Sequence, residues 1–202
     1  MTCYIFGGAD ILEYSGIHVP DDAFVIAADR GYMHCERLGI IPRLIVGDLD
    51  SIETDVPEKV RLIKAPREKD DTDLIMAVRS GIDAGCSDFH IYGGDGGRMG
   101  HTFANIQTLS LISSMGYTGT IHGGCFDMTL QPPSEREYLN KGYSYVSLFS
   151  LSEYSELAVR GLKYSGRFML RRNYPMGVSN EFSEERCSIS VIDGEILVIL
   201  EK

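Results

Sequence analysis

An α/β fold is predicted, with an N-terminal, mostly parallel α/β sandwich domain over residues 1–131 and a C-terminal all-β sandwich domain over residues 132–202. Three observations carry this expectation. Short aliphatic runs alternate with stretches of helical periodicity through the first part of the chain. The character changes at Pro132-Pro133, beyond which apolar and polar residues alternate. Finally, Asp193-Gly194 separates two such alternating runs, the sequence signal of a two-residue hairpin.

Taken in order, the aliphatic runs predict strands over residues 3–6, 24–28, 44–46, 60–64, 89–92 and 120–122. Helices are expected over 32–38, 73–84 and 102–115, and in the second of these Leu74, Ile75, Val78 and Ile82 form an apolar stripe at helical spacing. Strand–helix alternation implies a sheet covered on both faces, whose ligands bind beyond the carboxyl ends of the strands. Gly7-Gly8, Asp29, Asp48 and Gly93-Gly94 all follow strands, so they are expected along one edge. In the last third, residues 143–150, 188–192 and 195–200 read as strands.

Composition narrows the class. With 202 residues and 44% hydrophobic content the chain can bury a real core. A formal net charge of -10 argues against a nucleic-acid partner, which is held mainly by Lys and Arg on phosphates. It leaves a nucleotide substrate open. No apolar run is long enough to span a membrane, and the start of the chain lacks the pattern of a signal peptide. Cys3, Cys35, Cys86, Cys125 and Cys187 are scattered without a C-x-x-C pair, as expected of reduced thiols in a cytoplasmic protein without a zinc site.

The chemistry concentrates in two acidic knots, Gly47-Asp48-Leu49-Asp50-Ser51 and Lys69-Asp70-Asp71-Thr72-Asp73. In extended backbone residues i and i+2 share a side, so Asp48 and Asp50 converge while Leu49 faces away. Converging carboxylates repel unless a cation lies between them, and Mg²⁺ with oxygen ligands and substrate phosphates satisfies both. Each knot alone has a plainer explanation. Asp and Ser favour turns after strands, and Thr72 or Asp71 caps the next helix. Together they indicate a metal–phosphate site. A third cluster, Gly93-Gly94-Asp95-Gly96-Gly97-Arg98-Met99-Gly100-His101 with Asn105 one turn on, suits phosphate through close backbone approach, a helix start and a bidentate Arg. No P-loop, kinase set, G-x-S-x-G elbow or H-E-x-x-H occurs. His18, His34, His90 and His122 read as surface or packed residues.

These motifs, with Asp29-x-Gly31, Gly39-Ile40-x-Pro42, Gly161-Leu162-Lys163-Tyr164 and Gly177-Val178-Ser179-Asn180-Glu181, follow one another in an order that resembles the thiamine pyrophosphokinase family across nearly the whole chain. The resemblance implies an α/β catalytic domain, a β-sandwich and a homodimer with sites shared between subunits. It implies transfer of pyrophosphoryl from ATP to the hydroxyl of thiamine, giving thiamine diphosphate and AMP. It further implies that Asp48, Asp50 and Asp73 hold Mg²⁺ with Asp70 close by, while Asp71 occupies a variable position. Asp29, Ser51, Lys69, Thr72, Gly97, Arg98, His101 and Asn105 fall on the ATP side, and Tyr164, Ser179 and Asn180 on the thiamine side. The family's usual acid before His101 is replaced by Gly100.

Pyrophosphoryl transfer needs in-line positioning and charge neutralisation more than covalent help. Arg98 and the cation supply the neutralisation, and Asp73 or Asp50 accepts the hydroxyl proton. Two other readings use the same residues. A haloacid-dehalogenase-like phosphatase also carries D-x-D after a strand, though usually the first strand. A non-catalytic nucleotide- or Mg²⁺-sensing module leaves Tyr164 and Ser179-Asn180 unexplained.

Overall fold

A computed structural model describes residues 1–48, 56–64, 71–96 and 98–202. It divides into two compact units, Met1–Gly124 and Cys125–Lys202.

The first unit is built on parallel strands: β1 (Thr2–Phe6), β2 (Phe24–Ala28), β3 (Leu44–Gly47), β4 (Arg61–Lys64), β5 (Asp88–Tyr92) and β6 (Thr118–His122). They lie in the order β4-β3-β2-β1-β5-β6, every pair parallel. Among the described residues three helices are interleaved: α1 (Gly31–Arg37), α2 (Asp73–Asp83) and α3 (Met99–Ser114). Alternation within β1 explains the layering. Tyr4 and Phe6 join Tyr32 and Cys35 of α1 in one buried cluster. Cys3 faces the other way, where a Cβ on Gly81 of α2 would stand 3.1 Å from its sulfur and 2.8 Å from the Phe89 ring. On that same side Ile112 and Leu109 of α3 cover Gly119. Both faces of the sheet are therefore covered, as parallel pairing requires.

Helix α2 turns a slightly different face inward than the Leu74-Ile75-Val78-Ile82 stripe predicts. Leu74, Ala77, Val78 and Gly81 are buried, whereas Ile75 and Ile82 are only half-buried. The small residues Ala77 and Gly81 let the helix come close to the sheet, so size rather than hydrophobicity selects the buried line.

The second unit holds β7 (Phe126–Gln131), β8 (Ser134–Leu139), β9 (Tyr145–Ser150), β10 (Tyr154–Arg160), β11 (Gly166–Arg171), β12 (Arg186–Asp193) and β13 (Ile196–Glu201). All pairing among them is antiparallel: β13 lies between β7 and β9, while β12 lies between β8 and β10, with β11 beyond β10. Val146, Leu148, Ile196 and Val198 from the first group meet Leu157, Val159, Ile189 and Val191 from the second in one core.

The hairpin expected at Asp193-Gly194 is corrected here. Strands β12 and β13 do not pair; the turn carries the chain from one layer of the sandwich to the other. A type I′ hairpin needs left-handed backbone at both central residues. Gly194 has φ 78°, but Asp193 is not among the residues with positive φ. The chain beyond the turn is also captured elsewhere: Glu195 donates its N–H to Ser152 Oγ (3.0 Å), and its carbonyl accepts from Leu151 N (2.9 Å) and Ser155 Oγ (3.0 Å).

Candidate active site

Because β1, β2, β3 and β5 are parallel, the residues that follow them emerge along one edge. Gly7-Gly8, Asp29, Asp48 and Gly93-Gly94 stand there, as the sequence predicts. The loops after β1 and β5 are joined by backbone: Gly7 N donates to Tyr92 O (2.7 Å) and Ala9 N to Gly93 O (3.1 Å). This approach excludes side chains. A Cβ on Gly7 would lie 2.5 Å from Gly93 O, and Gly93 itself has φ 63°. Helix α1 begins equally close, since a Cβ on Gly31 would lie 1.8 Å from Phe6 O.

Asp29 is one of two non-glycine residues with positive φ among the described residues, at 51°. Asp is among the few residues that adopt this conformation at modest cost. The strain is held by its N–H donating to Val46 O (2.8 Å) and its carbonyl accepting from Tyr32 N (3.2 Å). Its backbone lies against Gly47, where a Cβ would stand 3.1 Å from the Asp29 Cα. Asp29 and Asp48 thus leave adjoining strands at one point of the edge, both half-buried.

The two readings of the second knot separate along the chain. Thr72 is the N-cap of α2, its hydroxyl accepting from Ile75 N at 3.2 Å. Asp71 pairs with Arg79 at 2.6 Å. Asp73, half-buried, occupies the first turn of α2, where the helix dipole favours a carboxylate. Asp50, Ser51, Lys69, Asp70 and Gly97 lie outside the described residues. Among the described residues no group of three His, Cys, Asp or Glu side chains gathers to hold a metal ion.

Helix α3 starts at Met99, three residues before its expected start, with Arg98 as an extended N-cap. It has no side-chain cap bond and no acid in its first turn, so its own sequence leaves the positive end of the dipole uncompensated. Arg98 and His101 are exposed beside it. Asn105 donates from Nδ2 to Gly94 O at 2.6 Å, tying α3 to the glycine-rich loop. Asp95 in that loop was not singled out by the sequence reading, although burial raises its carboxyl pKa. Its place between glycines that bring backbone close to a ligand is the sequence signal it carries.

Of the remaining histidines, His34 is buried in α1 and packed, as expected. His90 and His122 lie on the sheet face, 2.8 Å apart between ring nitrogens, with Asp88 3.4 Å from His90.

In the second unit Tyr164 is 65% exposed after β10. Ser179 is the other non-glycine residue with positive φ (58°), its N–H donating to the hydroxyl of the buried Ser147 at 3.1 Å. Asn180 is half-buried beside it, and its side chain bonds to the Tyr164 backbone.

No helix among the described residues is long and apolar enough to cross a membrane. Cys3, Cys35, Cys86 and Cys187 are buried free thiols and Cys125 is an exposed one.

Comparison with known proteins matches this edge to a family. The model of the thiamin pyrophosphokinase catalytic domain matches residues 19–117, which run from before β2 to the end of the connection after α3. Thiamine pyrophosphokinase of Bacillus subtilis is 29% identical over 184 residues, covering 86% of this chain and 85% of the relative. A crystal structure of a thiamin pyrophosphokinase family protein from Enterococcus faecalis is 26% identical, with TM-score 0.86 over 100% of this chain and 98% of that one. The crystal structure of the Bacillus subtilis enzyme shares the fold with TM-score 0.91 at 24% identity, over 100% of this chain and 99% of that one. In sequence and in fold the chain is similar to the thiamin pyrophosphokinase family.

Proposed function

We infer that this diphosphotransferase is a thiamine pyrophosphokinase, transferring the terminal pyrophosphoryl group of ATP to the hydroxyl of thiamine and releasing AMP. The observation that carries this is the single edge on which Asp29, Asp48, the glycine-only contact of Gly7 with Gly93 and the start of α3 lie together. Such an edge admits phosphate oxygens close to backbone and offers carboxylates for the cation that accompanies them. The phosphatase reading gains nothing from it, since Asp48 follows the third strand in the chain rather than the first.

In this proposal Asp48, Asp50 and Asp73 hold Mg²⁺, with Asp70 nearby. Their all-oxygen donor set suits a hard cation, which when bound neutralises the phosphate oxygens. Arg98 grips the phosphates bidentately, and Lys69 and His101 add charge around the nucleotide. Asn105 sets the glycine-rich loop through Gly94. Tyr164 and Ser179 receive thiamine from the β-unit. The working form is a cytoplasmic homodimer in which one subunit's β-unit serves the other's catalytic edge.

Incubation with ATP, Mg²⁺ and thiamine, followed by chromatography, tests the reading. Equal amounts of AMP and thiamine diphosphate are expected. Stoichiometric ADP with thiamine monophosphate would replace it with a phosphokinase, and inorganic phosphate with a trapped aspartyl-phosphate would replace it with a phosphatase.

A further inference from the structure

We propose that Asn180 is a positioning residue that fixes the backbone of Tyr164 and so aims its ring, rather than a group that contacts the alcohol substrate. The proposal rests on the reading of Tyr164 as the aromatic surface that receives that substrate.

The amide of Asn180 is almost fully committed within the protein. Its Oδ1 accepts from Tyr164 N at 2.9 Å and from Glu181 N at 3.0 Å, and its Nδ2 donates to Tyr164 O at 2.9 Å. Both lone pairs of the carbonyl and one of two N–H bonds are then used, leaving one donor for anything else. Both backbone polar groups of Tyr164 are engaged, as they would be by a neighbouring strand.

The main chain of Asn180 is occupied in the opposite direction. Its N–H donates to Val146 O (3.0 Å) and its carbonyl accepts from Val146 N (2.7 Å) in β9. Asn180 therefore joins β9, in one layer of the sandwich, to the corner after β10, in the other. The corner is laced further by Lys163 N to Glu181 O (2.8 Å), by Ser183 N to Gly161 O (3.0 Å) and by the Lys163–Glu181 ion pair (3.1 Å).

Stability alone gives little reason for this tie. Leu162, two residues earlier, is 3% exposed and anchors the corner in the core, whereas Tyr164 is 65% exposed and buries little apolar surface. What the tie supplies is an exposed aromatic on a backbone that cannot swing. A ring ordered beforehand spares the ordering cost at binding, which appears as affinity.

The chain contains no tryptophan, so Tyr164→Trp installs a single indole whose anisotropy and acrylamide quenching report the corner without turnover. Adding Asn180→Ala should lower the anisotropy and increase quenching. With Tyr164 intact, Asn180→Ala should raise KM for thiamine roughly tenfold, the scale of one or two lost hydrogen bonds, with a much smaller change in kcat. In a Tyr164→Ala background the same substitution should leave KM where Tyr164→Ala alone puts it. Asn180→Asp, which keeps the two acceptor bonds and loses the donor, should fall between, and it carries the test if the alanine variant melts early. Unchanged anisotropy, or KM effects that multiply in the double variant, would overturn the proposal. Absence of any thiamine turnover by the unaltered protein would instead defeat the functional reading, with the anisotropy still deciding whether Asn180 orders the corner.

Discussion

Asp71 Oδ2 lies 2.6 Å from Arg79 Nη1, two turns along α2, so the acid before Thr72 is paired with the helix that Thr72 caps. Arg79 is 59% exposed, and such surface pairs contribute little to stability. Asp71→Asn should therefore keep near-native turnover and melting temperature. Asp48→Asn should lose most turnover, on the order of several kcal/mol of transition-state stabilisation, while its fold survives. Steady-state kinetics beside thermal melts would check both, and near-native turnover in the Asp48 variant would move the metal elsewhere.

Gly31→Ala probes the close approach of α1 to β1. With Phe6 O only 1.8 Å from the added carbon, backbone has to move, and no flexible side chain stands there to yield. The expected loss is about 3 kcal/mol or more, at the upper end for overpacked sites. Denaturant titration measures it. Gly100→Ala, where nothing beyond its own helix backbone and chain neighbours lies within 4 Å of the added carbon, is the matched control and should keep or modestly raise the midpoint.

His34 should make stability fall on mild acidification. Its Nε2 lies 2.9 Å from Ala9 O, which can only accept, so Nε2 carries the proton and Nδ1 accepts from the Tyr14 hydroxyl at 2.6 Å. Burial holds its pKa below the ordinary value, opposed by the Ala9 bond and by Asp10 and reinforced by Arg37 and Arg30. The unfolded chain then takes the proton more readily than the folded one. This contribution to stability is complete above about pH 6.5 and is lost as pH falls through the depressed folded value. His34→Gln keeps a donor for Ala9 and cannot titrate. Melts from pH 7.5 to 5 should therefore show a shallower slope in the variant; equal slopes would refute the assignment.

Thiol labelling under native conditions should modify Cys125 alone. The other four are buried, and burial pushes the Cys35 thiol up to about 12 and that of Cys187 up to about 11. Reactivity needs thiolate, so these should react only after denaturation. Mass spectrometry at short labelling times gives the count.

The parallel sheet was legible because its strands are short, apolar and bounded by glycine and acid. Strand β2 was expected over 24–28 and spans Phe24–Ala28. The edge followed from that, since strand ends in a parallel sheet have only one side on which to gather. Three things were not legible. Asp193-Gly194 has the local chemistry of a hairpin, yet pairing is decided by the strands on either side, already taken by β8, β10, β7 and β9. Strands β7, β8, β10 and β11 were not expected: β8 and β10 alternate with few long apolar side chains, and in β11 Phe168-Met169-Leu170 run together without alternation. Nor could the sequence divide the second knot, because capping, ion pairing and metal binding draw on the same residue types; the partners Ile75 and Arg79 separate two of the three.

The corner at Gly194 also bears on biosynthesis. The last strand in chain order, β13, is the one both β7 and β9 pair with, and those two have no ladder to each other. As the chain leaves the ribosome, β7 and β9 must wait with open edges until residues 196–201 emerge between them. Completion of this unit thus waits for translation through residues 196–201, and a nascent chain stalled before Ile196 would present two unpaired strand edges at once.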